Sequence, residues 1–252
     1  METEIVFAIG DLHSNFDAIR TTVKRYKLNN FVGFVCGDFG VGFNYYDSTK
    51  ERKEKRQLIG LNTFLKNRNG MIYVIAGNHD NPMFFDGNHD FSNIIFMKNY
   101  DTVEVNGKKY LGIGGAISID RKPNHNFPNI YGQSWPGRRE GFNWWPDEKV
   151  VYNEEALNNL TDINVVLTHT SPGFVYPQVF DMCVLKWCEC DSTLKKELLA
   201  ERKLMSKIYK KLKEKNTIQA WYYGHFHKLN FQTYKSTKFY LLNTGVFKEI
   251  IV

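Results

Sequence analysis

Seven side chains of types that bind catalytic metal ions occur in five short blocks of this sequence. They are Asp11, His13, Asp38, Asn78, His169, His225 and His227. Carboxylate, amide and imidazole groups together suit divalent ions that keep open positions for water or substrate. The set contains no cysteine, which argues against a closed structural zinc site. These residue types favour a catalytic centre, and we expect it to hold two divalent ions.

The blocks follow stretches that are predicted to be strands. Apolar runs at residues 4–9, 31–36, 71–75, 164–167 and 218–223 have the length and flanking residues of strands. The first three end at Gly10-Asp11, Gly37-Asp38 and Gly77-Asn78. Since α/β sheets place their ligand sites at the carboxyl ends of strands, we expect the polar blocks to lie there.

Two pairs of ligands are separated by one residue, Asp11 with His13 and His225 with His227. In an extended chain, residues i and i+2 point to the same side. Both members of each pair are therefore expected to face one metal cluster, while Phe226 points to the core.

The tetrapeptide Gly-Asn-His-Asp occurs twice, at residues 77–80 and 87–90. Only the first copy follows a predicted strand, so Asn78 and His79 are assigned to the site. His89, in the second copy, is predicted to be a loop or pocket-rim residue.

The order Asp-x-His, Gly-Asp, Gly-Asn-His-Asp, His, Gly-His-x-His resembles the calcineurin-like metallophosphoesterase family, from Gly10 to His227. Two ions close together require an anionic bridge, and the Asp38 carboxylate can offer one oxygen to each. The resemblance implies a first ion on Asp11, His13, Asp38 and His227. It implies a second ion on Asp38, Asn78, His169 and His225.

His79 is the predicted catalytic residue beside these ligands. The resemblance implies that it protonates the leaving oxygen or hydrogen-bonds the phosphoryl group. General acid assistance contributes roughly 10²–10⁴ in rate. Asp80 is expected to accept a hydrogen bond from the other ring nitrogen of His79 and to fix its orientation.

The blocks differ from those of protein Ser/Thr phosphatases in the same superfamily. Those enzymes have further Asp and Arg-Gly residues after Gly-Asp, which are missing after Gly37-Asp38, and their third block ends in Glu rather than Asp80. Gly114-Gly115-Ala116, combined with the run at 144–148, resembles small bacterial and phage metallophosphoesterases. That branch implies no single substrate.

We expect an α/β fold, with two packed mixed β-sheets flanked by helices in the four-layer sandwich that the resemblance implies. A single domain at 1–252 is predicted, with an aromatic and Arg-rich loop insertion at 119–150 and a helical cap insertion at 173–215. The second half is predicted to be more antiparallel, and Asn106-Gly107 predicts a hairpin. Residues 191–215 are predicted to form a helix with one apolar and one basic face.

Three arginines in the 119–150 loop, Arg121, Arg138 and Arg139, are candidate phosphate ligands, because a guanidinium can bind phosphate bidentately. The alternative is a surface loop held by its aromatic residues. The basic face of 191–215 is either a solvated helix face or a nucleic-acid surface. The cysteines at 183, 188 and 190 are either buried thiols or a zinc site.

Composition places the chain among soluble globular proteins. It has 252 residues, a net charge of +6 and a pI near 9.0, which favours acidic partners such as phosphate esters. No apolar run approaches the ~20 residues that span a bilayer, and the start lacks a signal-peptide pattern. With four cysteines that form no disulfide framework, we expect a cytoplasmic protein with no membrane partner.

These observations predict a metal-dependent phosphoesterase that uses two metals and a bridging hydroxide nucleophile. A phosphatase is favoured over a phosphodiesterase, because three arginines lie in one loop. The expected substrate is a phosphorylated small molecule, phosphoprotein or nucleotide, with nucleic acid left open. Manganese is the favoured metal, with Fe, Zn²⁺, Ni²⁺ and Co²⁺ as alternatives. The alternative of another class is a metal-stabilised binding scaffold.

Overall fold

The computed structural model describes residues 5–43, 48–87, 91–128 and 132–251, with the side chain of Pro128 left out. The strands are β1 (Ile5–Ile9), β2 (Phe31–Val35), β3 (Gly70–Val74), β4 (Ile94–Phe96), β5 (Thr102–Val105), β6 (Lys108–Ile113), β7 (Asn124–Pro128), β8 (Ser134–Trp135), β9 (Ile163–Thr168), β10 (Ala220–Tyr223), β11 (Asn230–Tyr234), β12 (Thr237–Leu241) and β13 (Phe247–Glu249). The helices are α1 (Asp17–Arg25), α2 (Ser48–Lys66), α3 (Glu154–Asn159), α4 (Met182–Cys190) and α5 (Leu194–Lys213), with a 3₁₀ helix at Pro82–Phe85. The prediction for His89 lies outside the described residues.

The first sheet has the strand order β13-β1-β2-β3-β4. Strands β1 to β4 are parallel, and β13 is antiparallel to β1. Every residue of β2 is buried, because alternate side chains point to opposite faces and both faces are covered. Phe31 and Val35 pack towards α1 and α2, while Val32 and Phe34 pack towards the second sheet.

The second sheet has the order β11-β12-β10-β9-β6-β5. Its central strands β12, β10, β9 and β6 are parallel, and antiparallel strands occupy both edges. The hairpin at Asn106-Gly107 is confirmed, with β5 paired to β6. The expectation of a mainly antiparallel second half is wrong for the sheet centre, where strands distant in sequence pair in parallel.

Three apolar clusters hold four layers together. One lies between the helices α1 and α2 and the first sheet, one between the two sheets, and one between the second sheet and α3 with α5. The amphipathic face predicted for residues 191–215 is confirmed, because Leu194, Leu198, Met205, Ile208 and Leu212 are buried in α5. The four-layer α/β fold is therefore as expected.

A fourth apolar cluster lies above the sheets and joins the two segments that were predicted as insertions. Ile117 packs there with Trp187, Leu194 and Leu198, and Phe127 stacks on Trp187 with ring centroids 4.6 Å apart. We call this part of the molecule the cap. Helix α5 begins in the cap and ends in the core of the second sheet, so it connects the two.

Candidate metal centre and active-site cavity

The loops that follow β1, β2, β3, β9 and β10 carry the seven predicted ligands and meet where the two sheets approach each other. A chain of short contacts joins all seven. His227 Nε2 lies 3.1 Å from an Asp11 oxygen and 3.0 Å from His13 Nε2. His13 Nε2 in turn lies 3.8 Å from an Asp38 oxygen. The His169 Nε2 atom lies 3.2 Å from an Asp38 oxygen and 3.1 Å from Asn78 Oδ1. The His225 ring centroid lies 4.9 Å from that of His169.

Four of these residues form a compact group that can bind one ion. The ligand atoms of Asp11, His13, Asp38 and His227 all lie within 4.8 Å of one another. This group equals the first metal set that the family resemblance implies. Two carboxylates and two imidazoles fit a divalent ion, since they supply both negative charge and intermediate donor atoms.

The second set centres on His169, which is completely buried. Its Nδ1 lies 2.8 Å from the Cys36 carbonyl oxygen, so Nδ1 donates and Nε2 faces Asp38 and Asn78. A backbone partner of this kind fixes the tautomer of a metal-binding histidine. Burial opposes protonation, yet the carboxylates of Asp38 and Asp11 raise the pKa of His169 to about 10. The carboxylates of Asp38 and Asp11 thus concentrate negative charge around His169, and a bound divalent ion would offset that charge.

Several ligands adopt a backbone conformation that is unfavourable for residues with a side chain. The φ angles are 46° at His13, 50° at Asp38, 69° at His225 and 47° at His227. Such strain persists only where the surrounding structure enforces it, and it is concentrated at functional sites. The expectation that each pair lies on extended chain is wrong, because β1 ends at Ile9 and β10 ends at Tyr223. The turns after the strands, rather than strand alternation, bring the pairs together.

Two glycines allow the loops to approach the carboxylates closely. A Cβ atom on Gly224 would lie 2.0 Å from Asp11 Oδ1, and one on Gly77 would lie 2.2 Å from the Asp38 backbone nitrogen. The amide of His225 then donates to both oxygens of Asp11, at 3.2 and 3.0 Å. These glycines are required for close packing at the ligands.

His79 lies over the cluster without needing to be a ligand. Its backbone amide donates to Asp38 Oδ1 at 2.7 Å, and its ring stacks on Phe43 with centroids 4.6 Å apart. Its Nε2 contacts a guanidinium nitrogen of Arg138, which can only donate, so Nε2 accepts in a neutral ring. Burial lowers the pKa of His79 to about 3, with Asp38 acting in the opposite direction. Of the two expected roles, this arrangement favours hydrogen bonding over proton donation.

Asp80 has a different position from the one expected. Its two oxygens accept hydrogen bonds from the backbone amides of Gly77, Phe39, Gly40 and Val41, at 2.6 to 3.2 Å. The expected contact with the His79 ring is replaced by these bonds, because both oxygens of Asp80 are occupied by amides. Burial raises the pKa of Asp80 to about 7, and the amides oppose that rise. Asp80 thus fastens the loop after β3 to the loop after β2.

The three candidate arginines lie in different environments. Arg138 is at the site, where its side chain is only 4% exposed and its Nε lies 2.6 Å from Asp120. Arg121 is directed away from the cluster and forms ion pairs with Asp191 at 2.7 Å and Glu197 at 2.9 Å. Arg139 is exposed and stacks on Phe142. In the described part of the chain, Arg138 is the one of the three that contacts another predicted site residue, namely His79.

Two residues that hold the Asn78 side chain in place were not predicted from the sequence. Asn78 Nδ2 donates to Ser118 Oγ at 3.1 Å, and Ser118 donates from both its amide and its hydroxyl to Glu148. Burial raises the pKa of Glu148 to about 7. Ser118 gives no sequence signal, whereas Glu148 belongs to the run at 144–148 that carried the looser family resemblance. Together they orient the Asn78 amide towards His169.

A cavity of about 730 Å³ opens beside the cluster. Asp38, Asn78, His79, His225 and His227 lie on one side of it. The cap and the 170–181 segment form the other side, with apolar residues such as Ile119, Phe180, Val184, Trp187 and Leu198. A phosphate at the cluster would therefore have room for an attached apolar group.

A family model described as calcineurin-like phosphoesterase matches residues 6–229. The chain belongs to that family, as the order of the blocks implied. Family and ligand cluster together define a metal-dependent phosphoester hydrolase that acts on phosphorylated substrates. A search of curated proteins gave no match. None of the helices in the described ranges is long and apolar enough to cross a membrane.

Solved structures with related folds share little sequence with this chain. Phosphopantetheinyl hydrolase from Mycobacterium tuberculosis is 12% identical, with a TM-score of 0.46 over 96% of this chain and 90% of that one. A predicted phosphoesterase from Streptococcus pneumoniae is 13% identical, with a TM-score of 0.34 over 97% and 74%. GAP50, described as the anchor in the inner membrane complex of Plasmodium, is 12% identical, with a TM-score of 0.40 over 96% and 72%.

Proposed function

We propose that this protein is a phosphomonoesterase that uses two divalent ions. The observation that carries the proposal is the contact of the buried Arg138 guanidinium with His79, beside the seven candidate metal ligands. A monoester has three terminal phosphoryl oxygens and two negative charges. A guanidinium fixed next to the ions matches that group better than the single charge of a diester.

The seven ligands would hold the ions in two sets that share Asp38. Asp11, His13 and His227 complete the first set, and Asn78, His169 and His225 complete the second. Two ions bound there would withdraw charge from the phosphoryl oxygens and lower the pKa of water at the site. Manganese is the proposed metal, since it accepts mixed oxygen and nitrogen ligands.

The protein's own groups orient and neutralise the substrate. Arg138 would bind phosphoryl oxygens, with its side chain held in place by Asp120. The neutral His79 ring would donate a hydrogen bond from Nδ1 to the phosphoryl group or leaving oxygen. Asp80 and Ser118 act indirectly, because they fix the loops that carry Asp38 and Asn78.

The chain is further proposed to be one domain in which 119–150 and 173–215 are insertions that form the cap. All four cysteines are free, which suits a reducing compartment, and we propose a cytoplasmic location.

Comparing two nitrophenyl esters tests the proposal. The protein would be treated with chelator, reloaded with Mn²⁺ and assayed with p-nitrophenyl phosphate and bis-p-nitrophenyl phosphate. We expect metal-dependent hydrolysis with a clear preference for the monoester. A preference for the diester would replace the proposal with phosphodiesterase activity. Absence of turnover in protein that carries two ions would favour the scaffold alternative.

A further inference from the structure

A second cavity, of about 830 Å³, lies along helix α5 and does not contain the candidate metal ligands. Its helical wall is formed by residues on one face of α5, namely Lys195, Leu199, Lys203, Lys207 and Lys210. Residues between 173 and 180, with Leu185 of α4, form the other wall. We call this cavity the α5 groove. The 177–180 segment lines both the α5 groove and the active-site cavity, so the two cavities are neighbours.

The helical wall of the α5 groove is positively charged. All four of its lysines are exposed, and no ion pair joins any of them to a carboxylate in the described part of the chain. The Lys207 ammonium lies over the Tyr152 ring at 3.8 Å, which holds the side chain but leaves its charge in place. None of the described residues that line the groove is acidic. The groove therefore favours a negatively charged partner.

The floor and the opposite wall of the groove are apolar. Val179 is 80% exposed and Leu199 is 47% exposed. Phe174, Pro177 and Leu185 extend this apolar surface. Exposed apolar side chains that share one surface mark interaction sites. A partner that fits the groove must therefore supply both acidic and apolar groups.

The chemistry of the apolar surface favours a peptide over a nucleic acid or a lipid surface. Bases of single strands bind by stacking on aromatic rings, whereas the most exposed apolar side chains here are aliphatic. The Phe174 ring is already stacked on Tyr234 with centroids 4.0 Å apart, and Phe180 packs in the cap. A lipid surface is flat, but these residues line a concave groove. Grooves with apolar pockets and charged edges bind amphipathic peptide segments.

We propose that the α5 groove docks a peptide segment of a partner protein that carries both acidic and aliphatic side chains. Its carboxylates would pair with Lys203 and the other groove lysines, and its aliphatic side chains would pack on Leu199 and Val179. The helical wall from 195 to 210 is about 22 Å long, which accommodates about 15 helical or about 7 extended residues. The docked segment would lie beside the active-site cavity, but its binding is independent of the proposed phosphatase activity.

Selection from a phage-displayed library of random peptides tests the docking surface. The library would carry segments of about 15 residues, the helical length of the groove, and would be selected in parallel on the full chain and on Lys203→Glu. We expect the wild type to enrich peptides that combine acidic with aliphatic residues, and Lys203→Glu to lose them. Recovery of the same peptides by both proteins, or enrichment of none by the wild type, would overturn the proposal.

Fluorescence anisotropy of one enriched, labelled peptide then assigns the binding to the groove. Lys203→Glu should weaken binding about tenfold or more, because an attraction becomes a repulsion. Leu199→Gln should weaken it several-fold, because apolar contact area is lost. Lys196→Glu is the matched control, since Lys196 is exposed on the same helix but does not line the groove, and it should change the Kd little. Equal Kd values for wild type, Lys203→Glu and Leu199→Gln would place the peptide elsewhere and overturn the proposal.

Three further measurements separate the peptide from other acidic ligands. Protein treated with chelator should bind the peptide as well as untreated protein does, and loss of binding would place the carboxylates on metal ions and overturn the proposal. Vesicles of phosphatidylcholine with phosphatidylglycerol, and single-stranded oligothymidylate, should bind more weakly than the peptide. Tighter binding of either that is lost in Lys203→Glu would replace the peptide with a lipid surface or a nucleic acid.

Discussion

The loops that carry the candidate metal ligands and the cap-side wall of the cavity differ in how completely their polar groups are hydrogen-bonded. Asp80 accepts four backbone amides, and Asp11 accepts the His225 amide with both oxygens. On the cap-side wall, Glu201 Oε1 and Arg202 Nε have no hydrogen-bond partner within the described part of the protein. The loops are thus held in place by many bonds within the protein, whereas the polar groups of the cap-side wall are less completely bonded. We therefore expect substitutions in the loops to change activity more than substitutions on the cap side.

The largest effect is expected from Asp38, which belongs to both proposed metal sets. Asp38→Asn removes a negative charge from a buried cluster and the carboxylate that we propose bridges the two ions. We expect kcat/KM for p-nitrophenyl phosphate to fall on the order of 10³-fold, because several kcal/mol of charge stabilisation are lost. Metal content measured by mass spectrometry should fall in parallel.

Asp17→Asn is the control for that substitution, because Asp17 is exposed on α1 and forms a surface ion pair with Arg20. It should keep wild-type activity and metal content. Retention of activity in Asp38→Asn would contradict the assignment of the loops as the chemical side of the cavity.

The next largest loss of activity is expected from His79, which lines the cavity beside the ligand loops. His79→Ala should lower kcat roughly 10²-fold, the lower end for assistance by a positioned side chain, since Arg138 and the ions would remain. Metal content should be unchanged, and His125→Ala, at an exposed position of β7, should have no effect.

The pH dependence of kcat/KM in wild type and in His79→Ala tests the role of His79. Burial places its pKa at about 3, so the ring is neutral throughout the neutral range. We therefore expect no loss of kcat/KM attributable to His79 as pH rises through 6 to 7. A wild-type decline in that range that disappears in His79→Ala would instead show proton donation by an imidazolium.

Site residues next to predicted strands could be predicted from the sequence, whereas residues joined by the approach of distant segments could not. Asp38, Asn78 and His169 were predicted as ligands because each lies within three residues of the end of a predicted strand, and position after a strand is a local property. Ser118 and Glu148 were missed because they reach Asn78 only through the approach of segments that lie 30 and 40 residues apart. The parallel pairing of β6 with β9 was missed for the same reason, since hairpin chemistry is local and parallel pairing is not. The left-handed conformation of His13 and His227 is imposed by their neighbours.

A smaller effect on activity is expected from Arg138, whereas Arg121, the other buried arginine of the 119–150 loop, should affect stability instead. Arg138→Ala should lower kcat/KM about 10- to 100-fold, the range for losing hydrogen bonds to a charged group. Arg121→Ala should leave kcat/KM nearly unchanged and lower the free energy of unfolding by about 3 kcal/mol, because Asp191 would lose its main partner inside the protein. Activity assays and urea unfolding measure the two quantities.

Arg139→Ala is the matched control for both arginines, since Arg139 is exposed next to Arg138. It should change neither quantity appreciably. Loss of activity in Arg121→Ala equal to that in Arg138→Ala would mean that the cap ion pairs, rather than a phosphate contact, determine turnover.

The last prediction concerns stability alone, because Glu201 on the cavity wall contributes to its pH dependence. Burial raises the pKa of its carboxyl to about 8, so the folded chain holds a proton that the unfolded chain releases above about pH 4.5. The stabilising contribution is complete below pH 4.5 and is lost as pH rises towards 8, by up to about 1.4 kcal/mol per pH unit. Urea unfolding from pH 5 to 8 should therefore show a shallower decline in Glu201→Gln than in wild type. Equal slopes would mean that the wall is hydrated, and Glu214→Gln should match wild type in either case.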